Sequence, residues 1–209
     1  MEEKKIKMPR NFVFYKIISA ILRFLLLFVI RIKIRGRENL PKTGGFILAC
    51  NHISNFDPVI LVARLGRPVC FMGKDELFKN PLMGYIFSRG MKVFPVKRGA
   101  GDSDAIDYGA ALIKSGHILG IFPEGRRYKV GEPGRAKSGV AIIARMTGAD
   151  VLPMGVTCSG KPGFFNTFTF TISPIIRHEE LGFAGGDDKR EIKAAANMIM
   201  DAINRSNQL

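Results

Sequence analysis

Residues 46–58 read Phe-Ile-Leu-Ala-Cys-Asn-His-Ile-Ser-Asn-Phe-Asp-Pro. The five apolar residues at the start predict a buried strand, and the Asp-Pro pair at the end is typical of the start of a helix. A strand, a turn and a helix in this order are a unit of α/β folds. His52 and Asp57 fall at the exit of the strand, where side chains are accessible for chemistry.

The spacing of His52 and Asp57 indicates how the two side chains can meet. On a continuous helix, a separation of five residues would place them about 140° apart. If residues 53–56 form a turn, the carboxylate can fold back onto the imidazole. It would then fix the tautomer and stabilise the imidazolium, while the second ring nitrogen takes a proton from a hydroxyl. Asp57 before Pro58 is also typical of a helix N-cap, so the sequence allows either role or both.

Ser54 and Cys50 are the alternative nucleophiles near this histidine. Neither lies in a nucleophile elbow or in a Gly-Xaa-Ser-Xaa-Gly pattern. The sequence therefore favours direct transfer to a hydroxyl of the substrate over a covalent intermediate.

Four blocks of sequence carry a resemblance to a known family. They are His52 and Asp57 with four residues between them, residues 74–78 leading to 94–99, residues 122–127 and residues 151–156. In order and spacing these blocks resemble the glycerolipid acyltransferases, specifically the bacterial lysophosphatidic acid acyltransferases. The third block departs from the usual Phe-Pro-Glu-Gly-Thr-Arg-Ser, because Arg126 replaces the threonine and Tyr128 the serine. This departure bears on the identity of the acceptor more than on the type of reaction.

The resemblance implies transfer of a fatty acyl chain from a thioester to the free hydroxyl of lysophosphatidic acid, which gives phosphatidic acid. His52 would be the general base and Asp57 its support. Acyl-CoA or acyl-carrier protein would be the co-substrate, with no bound cofactor and no metal. Other acceptors, such as glycerol 3-phosphate or another lysolipid, remain alternatives.

Two basic blocks follow predicted strands and should emerge at the edge of the sheet where α/β folds commonly bind ligands. Arginine offers a planar fork suited to phosphate oxygens, and glycine permits close approach of the backbone. A single arginine in such a block is more often a solvated surface charge, but the family resemblance favours a phosphate site formed by Lys97, Arg98, Gly125, Arg126 and Arg127. Glu124 would orient an arginine or bond the acceptor hydroxyl. From the resemblance, Pro153 has a role in acyl-chain binding or in structure.

The composition favours a membrane partner. The 209 residues include 32 Lys and Arg against 18 Asp and Glu, for a net charge of +14. Such a charge attracts nucleic acid, anionic membranes or phosphorylated substrates. Nucleic-acid binding is the alternative from a different class, but no helix-turn-helix, zinc pattern or interleaved basic and aromatic motif is evident. Three scattered cysteines without metal spacing fit a reducing cytoplasm.

The N-terminal 35 residues form a separate predicted unit. Residues 1–10 are a basic arm, and residues 12–30 are an apolar helix on which Lys16, Ser19 and Arg23 form a narrow polar stripe. Spanning a bilayer would bury Arg23 at a cost of roughly 2.5–3.5 kcal/mol. We therefore favour insertion into one leaflet, at the anionic cytoplasmic face of the cell membrane, over a transmembrane helix and over a packed core helix.

Residues 36–209 are predicted to form one α/β acyltransferase domain. Alternating apolar and basic residues indicate a half-exposed strand at 32–36. Further strands are indicated at 46–51, 68–72, 91–96, 118–122, 151–157 and 166–173. Periodic segments indicate helices at 58–65, 81–89, 103–114, 137–146 and 188–205. Alternating strands and helices predict a single mixed, largely parallel sheet flanked by helices.

Overall fold

The computed structural model describes residues 12–96, 103–132, 134–184 and 188–208. The strands are β1 Arg31–Arg35, β2 Ile47–Cys50, β3 Val69–Lys74, β4 Val93–Val96, β5 Ile118–Ile121, β6 Val151–Cys158 and β7 Thr167–Ile172. The helices are α1 Val13–Val29, α2 Phe56–Arg64, α3 Pro81–Tyr85, α4 Ser103–Lys114, α5 Gly139–Thr147 and α6 Lys189–Ser206.

Within the described residues, the strands form one seven-stranded sheet in the order β1-β7-β6-β2-β5-β3-β4. The five strands from β6 to β4 are parallel to one another, whereas β7 is antiparallel to β6 and parallel to β1. The prediction of a single mixed, largely parallel sheet flanked by helices is confirmed. The carboxyl ends of β2, β3, β4 and β5 lie at the same edge, so the segments that follow them can share a site.

Helices cover both faces of the sheet, and β2 shows how the chain alternates between them. Leu48 and Cys50 point into the core under α1 and α2. Ile47 and Ala49 point into the core under α4, α5 and α6. Because successive side chains of a strand face opposite ways, a strand buried on both faces reads as a continuous apolar run.

The segment after β3 is less regular than the sequence predicts. Instead of one helix over 81–89, a short α-helix is followed by a π-helical turn at Ile86–Gly90. The helix begins at Pro81, as predicted. The structure adds an N-cap, since the Asn80 side chain accepts bonds from the amides of Leu82 and Met83.

Helix α1 packs against the domain with one side and exposes the other. Tyr15 and Leu26 are buried in the core. Of the predicted polar stripe, Ser19 faces the domain, since its hydroxyl donates to the Val62 carbonyl of α2 at 2.8 Å. Lys16 and Arg23 are exposed as predicted.

None of the helices in the described residues is long and apolar enough to cross a membrane. We retain the division between residues 1–35 and 36–209 as a functional proposal. Both α1 and β1 nevertheless belong structurally to the same core and sheet as the rest of the chain.

Candidate active site

The turn after β2 brings the predicted histidine and aspartate together. The Nδ1 atom of His52 lies 2.8 Å from Oδ2 of Asp57. An ionised carboxylate can only accept hydrogen bonds, so the neutral imidazole carries its proton on Nδ1 and keeps an unprotonated Nε2. The histidine side chain is 16% exposed and that of Asp57 is fully buried. This arrangement provides a base that is partly accessible and a carboxylate that is held in place.

Asp57 organises the whole turn through one oxygen atom. Its Oδ2 accepts bonds from the backbone amides of Ile53 and Ser54, each at 2.8 Å, in addition to the bond from His52. The N-cap interpretation is wrong, because these amides precede Asp57 and helix α2 already begins at Phe56. The predicted return of the carboxylate onto the imidazole is the geometry that the structure shows.

The His52 ring is oriented by an aromatic neighbour as well. It stacks on Phe122, with ring centroids 4.1 Å apart and planes inclined by 20°. Phe122 stacks in turn on Phe71 of β3, at 5.8 Å. The backbone carbonyl of His52 accepts the amide of Tyr128 at 2.8 Å, which joins the histidine to the loop after β5.

Asn51, which the sequence analysis did not select, fixes the residue before the histidine. Its side-chain amide donates to the Val156 carbonyl at 2.9 Å and accepts the Val156 amide at 2.6 Å. The side chain is buried, so this pair of bonds satisfies the polar groups of both residues and holds β2 to β6. The signal in the sequence was an amide residue directly after a buried strand.

Glu124 contacts the backbone of the turn that carries His52 and Asp57. Its Oε2 accepts the His52 amide at 2.7 Å, and the residue is 3% exposed. Burial raises the pKa of Glu124 to about 7, an effect that the bond from His52 opposes and the charge of Asp57 reinforces. Gly134 lies directly against this carboxyl group, where a Cβ atom would meet Oε1 at 2.0 Å. Glu124 thus supports the backbone of the histidine; a bond to the acceptor hydroxyl or to an arginine stays a prediction.

The raised pKa of Glu124 predicts a pH dependence of stability. The folded protein holds this proton more tightly than the unfolded chain, so stability present below the ordinary pKa of 4.5 is lost as the pH rises towards about 7. Between pH 4.5 and pH 8, the free energy of unfolding of Glu124→Gln should rise by about 1–3 kcal/mol relative to that of the native protein. Urea unfolding at each pH measures this difference. The exposed Glu132→Gln change on the same loop is the control. Parallel pH profiles for Glu124→Gln and the native protein would contradict this assignment.

The two alternative nucleophiles are poorly placed. Burial raises the pKa of the Cys50 thiol well above its usual range, with further contributions from the charges of Asp57 and Glu124. A neutral, buried thiol is a weak nucleophile. Ser54 is buried and its hydroxyl accepts the Phe56 amide at 3.2 Å. Both observations favour direct transfer over a covalent intermediate.

The structure describes only part of the predicted phosphate site. Gly125, Arg126 and Arg127 follow β5, and the two arginine side chains are exposed. The Arg126 guanidinium lies 4.6 Å from the centre of the Tyr128 ring. Gly125 adopts a φ of 66°, a left-handed conformation that favours glycine, and a Cβ atom there would meet the Lys137 side chain at 2.9 Å.

The remaining predicted residues have different positions. Lys97 and Arg98 lie outside the described residues, directly after β4. Pro153 is buried in β6, where it pairs with Ala49, and its carbonyl accepts the Ser173 amide at 3.0 Å. Pro153 is thus an internal residue of the sheet. A role of Pro153 in binding the acyl chain stays a prediction.

Comparisons with known proteins identify similar sequences and a similar fold. The family model described as Acyltransferase matches residues 31–157. A Bacillus subtilis protein named 1-acyl-sn-glycerol-3-phosphate acyltransferase is 35% identical over 140 residues, which are 66% of this chain and 69% of that protein. A protein of the same name from Borreliella burgdorferi is 30% identical over 148 residues, which are 70% of this chain and 56% of that protein.

A solved structure shares the fold. The 1-acyl-sn-glycerophosphate (LPA) acyltransferase PlsC from Thermotoga maritima aligns with a TM-score of 0.69 at 21% identity, covering 96% of this chain and 84% of that one. The family model extends from β1 into β6, so it includes the turn with His52 and Asp57 and the loop with Glu124. The resemblance inferred from the four sequence blocks is confirmed, and this chain belongs to the acyltransferase family.

Proposed function

We propose that this enzyme transfers a fatty acyl chain from an acyl thioester to the free hydroxyl of lysophosphatidic acid and so forms phosphatidic acid. The observation that carries the proposal is the 2.8 Å contact between His52 Nδ1 and Asp57 Oδ2. This contact leaves Nε2 of His52 free to act as the base. The chain belongs to the acyltransferase family, and its relatives are named for this same reaction.

The chemistry follows from the pairing of the two side chains. His52 Nε2 takes the proton of the acceptor hydroxyl as its oxygen attacks the thioester carbonyl. Asp57 stabilises the imidazolium that forms and keeps the ring oriented. When the tetrahedral intermediate collapses, the carbon–sulfur bond breaks, and the departing thiolate takes the proton back from His52. The product ester and a free thiol leave the site, and the histidine returns to its starting state.

The donor and the acceptor are tested together in one assay. Purified protein is given a labelled acyl chain on CoA or on acyl-carrier protein, with lysophosphatidic acid, glycerol 3-phosphate or a neutral lysolipid as acceptor. We expect labelled phosphatidic acid with lysophosphatidic acid and little product with the neutral lysolipid. The replacement of the usual threonine and serine by Arg126 and Tyr128 makes another phosphorylated acceptor the second candidate, and faster use of glycerol 3-phosphate would establish it.

The phosphate of the acceptor is proposed to bind beside β4 and β5, where Lys97, Arg98, Arg126 and Arg127 are located in the sequence. We expect Arg127→Ala to raise the KM for lysophosphatidic acid by about 10-fold, because a charged hydrogen bond is lost, while the KM for the acyl donor changes less. Initial rates with each substrate varied in turn measure both constants.

Lys114→Ala is the matched control for Arg127→Ala. Lys114 is an exposed cation in the last turn of α4, before β5 begins and thus at the opposite edge of the sheet. Its replacement tests the general effect of lowering the positive charge. Equal increases in both KM values, or equal effects of the two substitutions, would count against a phosphate site at Arg127.

Helix α1 is proposed to bind the membrane from one side, at the cytoplasmic face. The side of α1 that faces away from the domain exposes seven large apolar side chains, namely Val13, Ile17, Ile21, Phe24, Leu25, Leu27 and Phe28. The exposed cations Lys16 and Arg23 can reach anionic headgroups beside this surface. An apolar surface bordered by basic residues fits one leaflet of an anionic bilayer.

The buried side of α1 determines how this proposal is tested. Deleting residues 1–30 would remove Tyr15 and Leu26 from the core and confuse binding with folding. We therefore choose the triple change Ile17→Gln, Phe24→Gln and Phe28→Gln, which alters exposed side chains alone. It should weaken binding to anionic vesicles by at least about 100-fold in sedimentation, because each of these side chains gains roughly 1.5–3 kcal/mol on burial. Unchanged sedimentation, compared with Met198→Gln on α6, would refute the role of α1.

A further inference from the structure

The connection between β6 and β7 exposes two adjacent aromatic side chains. Phe164 is 59% exposed and Phe165 is 79% exposed, the largest exposed fraction among the large apolar side chains of the described residues. Phe165 also has a φ of 63°, in a region that bulky side chains rarely adopt. Two adjacent exposed aromatic side chains, one of them in an unfavourable backbone conformation, are a feature for which a physical reason is sought.

The backbone around these residues is held by specific bonds. The Phe165 amide donates to the Val29 carbonyl at the end of α1, at 2.6 Å. The Asn166 side chain donates to the Lys161 carbonyl at 2.8 Å, and the Ser159 amide donates to the Thr167 carbonyl at 3.0 Å. The loop is thus fixed to α1 and to its own strands while the phenylalanine side chains extend outwards.

The position of the aromatic pair links α1 to the active site. Phe164 packs edge to face on Phe56, with ring centroids 5.4 Å apart, and Phe56 directly precedes Asp57. On the other side, the bond from Phe165 to Val29 places the loop at the last turn of α1. That turn also carries Phe28, which is 66% exposed. Phe164 thus lies against the turn that carries the histidine, and Phe165 is bonded to the end of α1, where Phe28 is exposed.

We propose that Phe164 and Phe165 form a second membrane contact that inserts into the leaflet beside the active site. The inference rests on the proposed function, because a lipid acceptor must reach His52 from the bilayer. Two exposed cations next to the pair, Lys161 and Arg31, complement anionic headgroups. Aromatic side chains bordered by basic residues are typical of groups that bind the interface of a membrane. Contacts at both α1 and this loop would fix the orientation of the enzyme, so that the acceptor hydroxyl meets His52 without leaving the lipid layer.

A single fluorophore tests this contact, because the chain contains no tryptophan. In the full chain, Phe165→Trp should show a blue shift with anionic vesicles and be quenched by lipids brominated on the acyl chain. Met198→Trp is the matched control, since Met198 is 40% exposed on α6, which covers the other face of the sheet. Its fluorescence should not change. Sedimentation and acyl transfer are measured on the same samples.

The fluorescence results distinguish membrane contact from acyl-chain binding and from self-association. Vesicle-bound protein whose indole at position 165 is not quenched would overturn the proposal. A blue shift caused by monomeric acyl thioester without vesicles would overturn it in favour of acyl-chain binding, and a shift caused by raising the protein concentration alone would overturn it in favour of a second copy. If the indole is quenched but no acyl chain is transferred, the proposed function fails and the membrane contact stands.

A second variant tests the consequence for catalysis. We expect Phe165→Ser, which leaves the contact of Phe164 with Phe56 intact, to lower kcat/KM by about 10-fold for acceptor embedded in vesicles, through the loss of an inserted aromatic group. Activity on dispersed acceptor below its aggregation concentration should stay within twofold. An equal loss on both forms of the acceptor would overturn the proposal, because it would show damage to the site and not loss of membrane contact.

Discussion

His52→Ala should lower kcat for acyl transfer by about 10²- to 10⁴-fold, the range that a positioned general base contributes. The substitution removes Nε2, which takes the proton of the acceptor hydroxyl. The fold should survive, because Asp57 keeps two of its three donors, the amides of Ile53 and Ser54, and the backbone bonds of residue 52 are kept as well. Its amide donates to Glu124 and its carbonyl accepts from Tyr128, and alanine keeps both groups.

The measurement is kcat with both substrates saturating, accompanied by circular dichroism and thermal unfolding. His117→Ala is the control, because His117 directly precedes β5 and so lies at the opposite edge of the sheet, stacked on Phe12. It should retain most of the activity. Near-native kcat in a correctly folded His52→Ala protein would remove His52 from the mechanism.

Asp57→Asn should lower kcat by about 10²- to 10³-fold, which is less than the largest effect expected at His52. The amides of Ile53 and Ser54 both donate to Oδ2, so the asparagine should place its oxygen, and not its NH₂ group, at that position. The oxygen can still accept the Nδ1 proton, and the histidine should keep its tautomer. What the variant loses is the negative charge that stabilises the imidazolium.

Comparison of Asp57→Asn with His52→Ala separates the effect of the lost charge from the effect of a changed histidine tautomer. If Asp57→Asn is as inactive as His52→Ala, the asparagine has turned its NH₂ group towards the imidazole and imposed the wrong tautomer, contrary to this account. Asp57→Ala should behave differently again. It leaves the buried amide of Ser54 and the partly buried amide of Ile53 without their acceptor, at a cost of about 1–3 kcal/mol for the buried one, so it should lower stability as well as kcat.

A mixed, largely parallel sheet was predictable, because most of its strands are short apolar runs and β1 and β7 alternate apolar with polar residues. The order of the strands was not predictable, since no local pattern encodes which strands pair. The meeting of His52 and Asp57 was also predictable, since a turn is the arrangement that brings residues five apart together. The helix boundary was less predictable. Asp57 resembles an N-cap in sequence, yet its carboxylate turns backwards, because three donors, including His52, hold it there.

Contacts between distant segments were not visible in the sequence. Glu124 is 72 residues from the histidine whose amide it accepts, and Asn51 is 105 residues from Val156. No local pattern encodes such pairs. For the same reason Ser19 was assigned to the polar stripe of α1, whereas contact with Val62 turns it towards the domain. Local periodicity identifies an amphipathic helix, but the packing partner decides which side is buried.

The most direct test of the central claim is the ratio of phosphatidic acid formed to thiol released. Native protein is incubated with lysophosphatidic acid and an acyl thioester, and free thiol and phosphatidic acid are measured over the same time course, with His52→Ala as the blank. This account predicts one phosphatidic acid for each thiol released, and almost no release of either by His52→Ala. Thiol release accompanied by free fatty acid and no phosphatidic acid would contradict it.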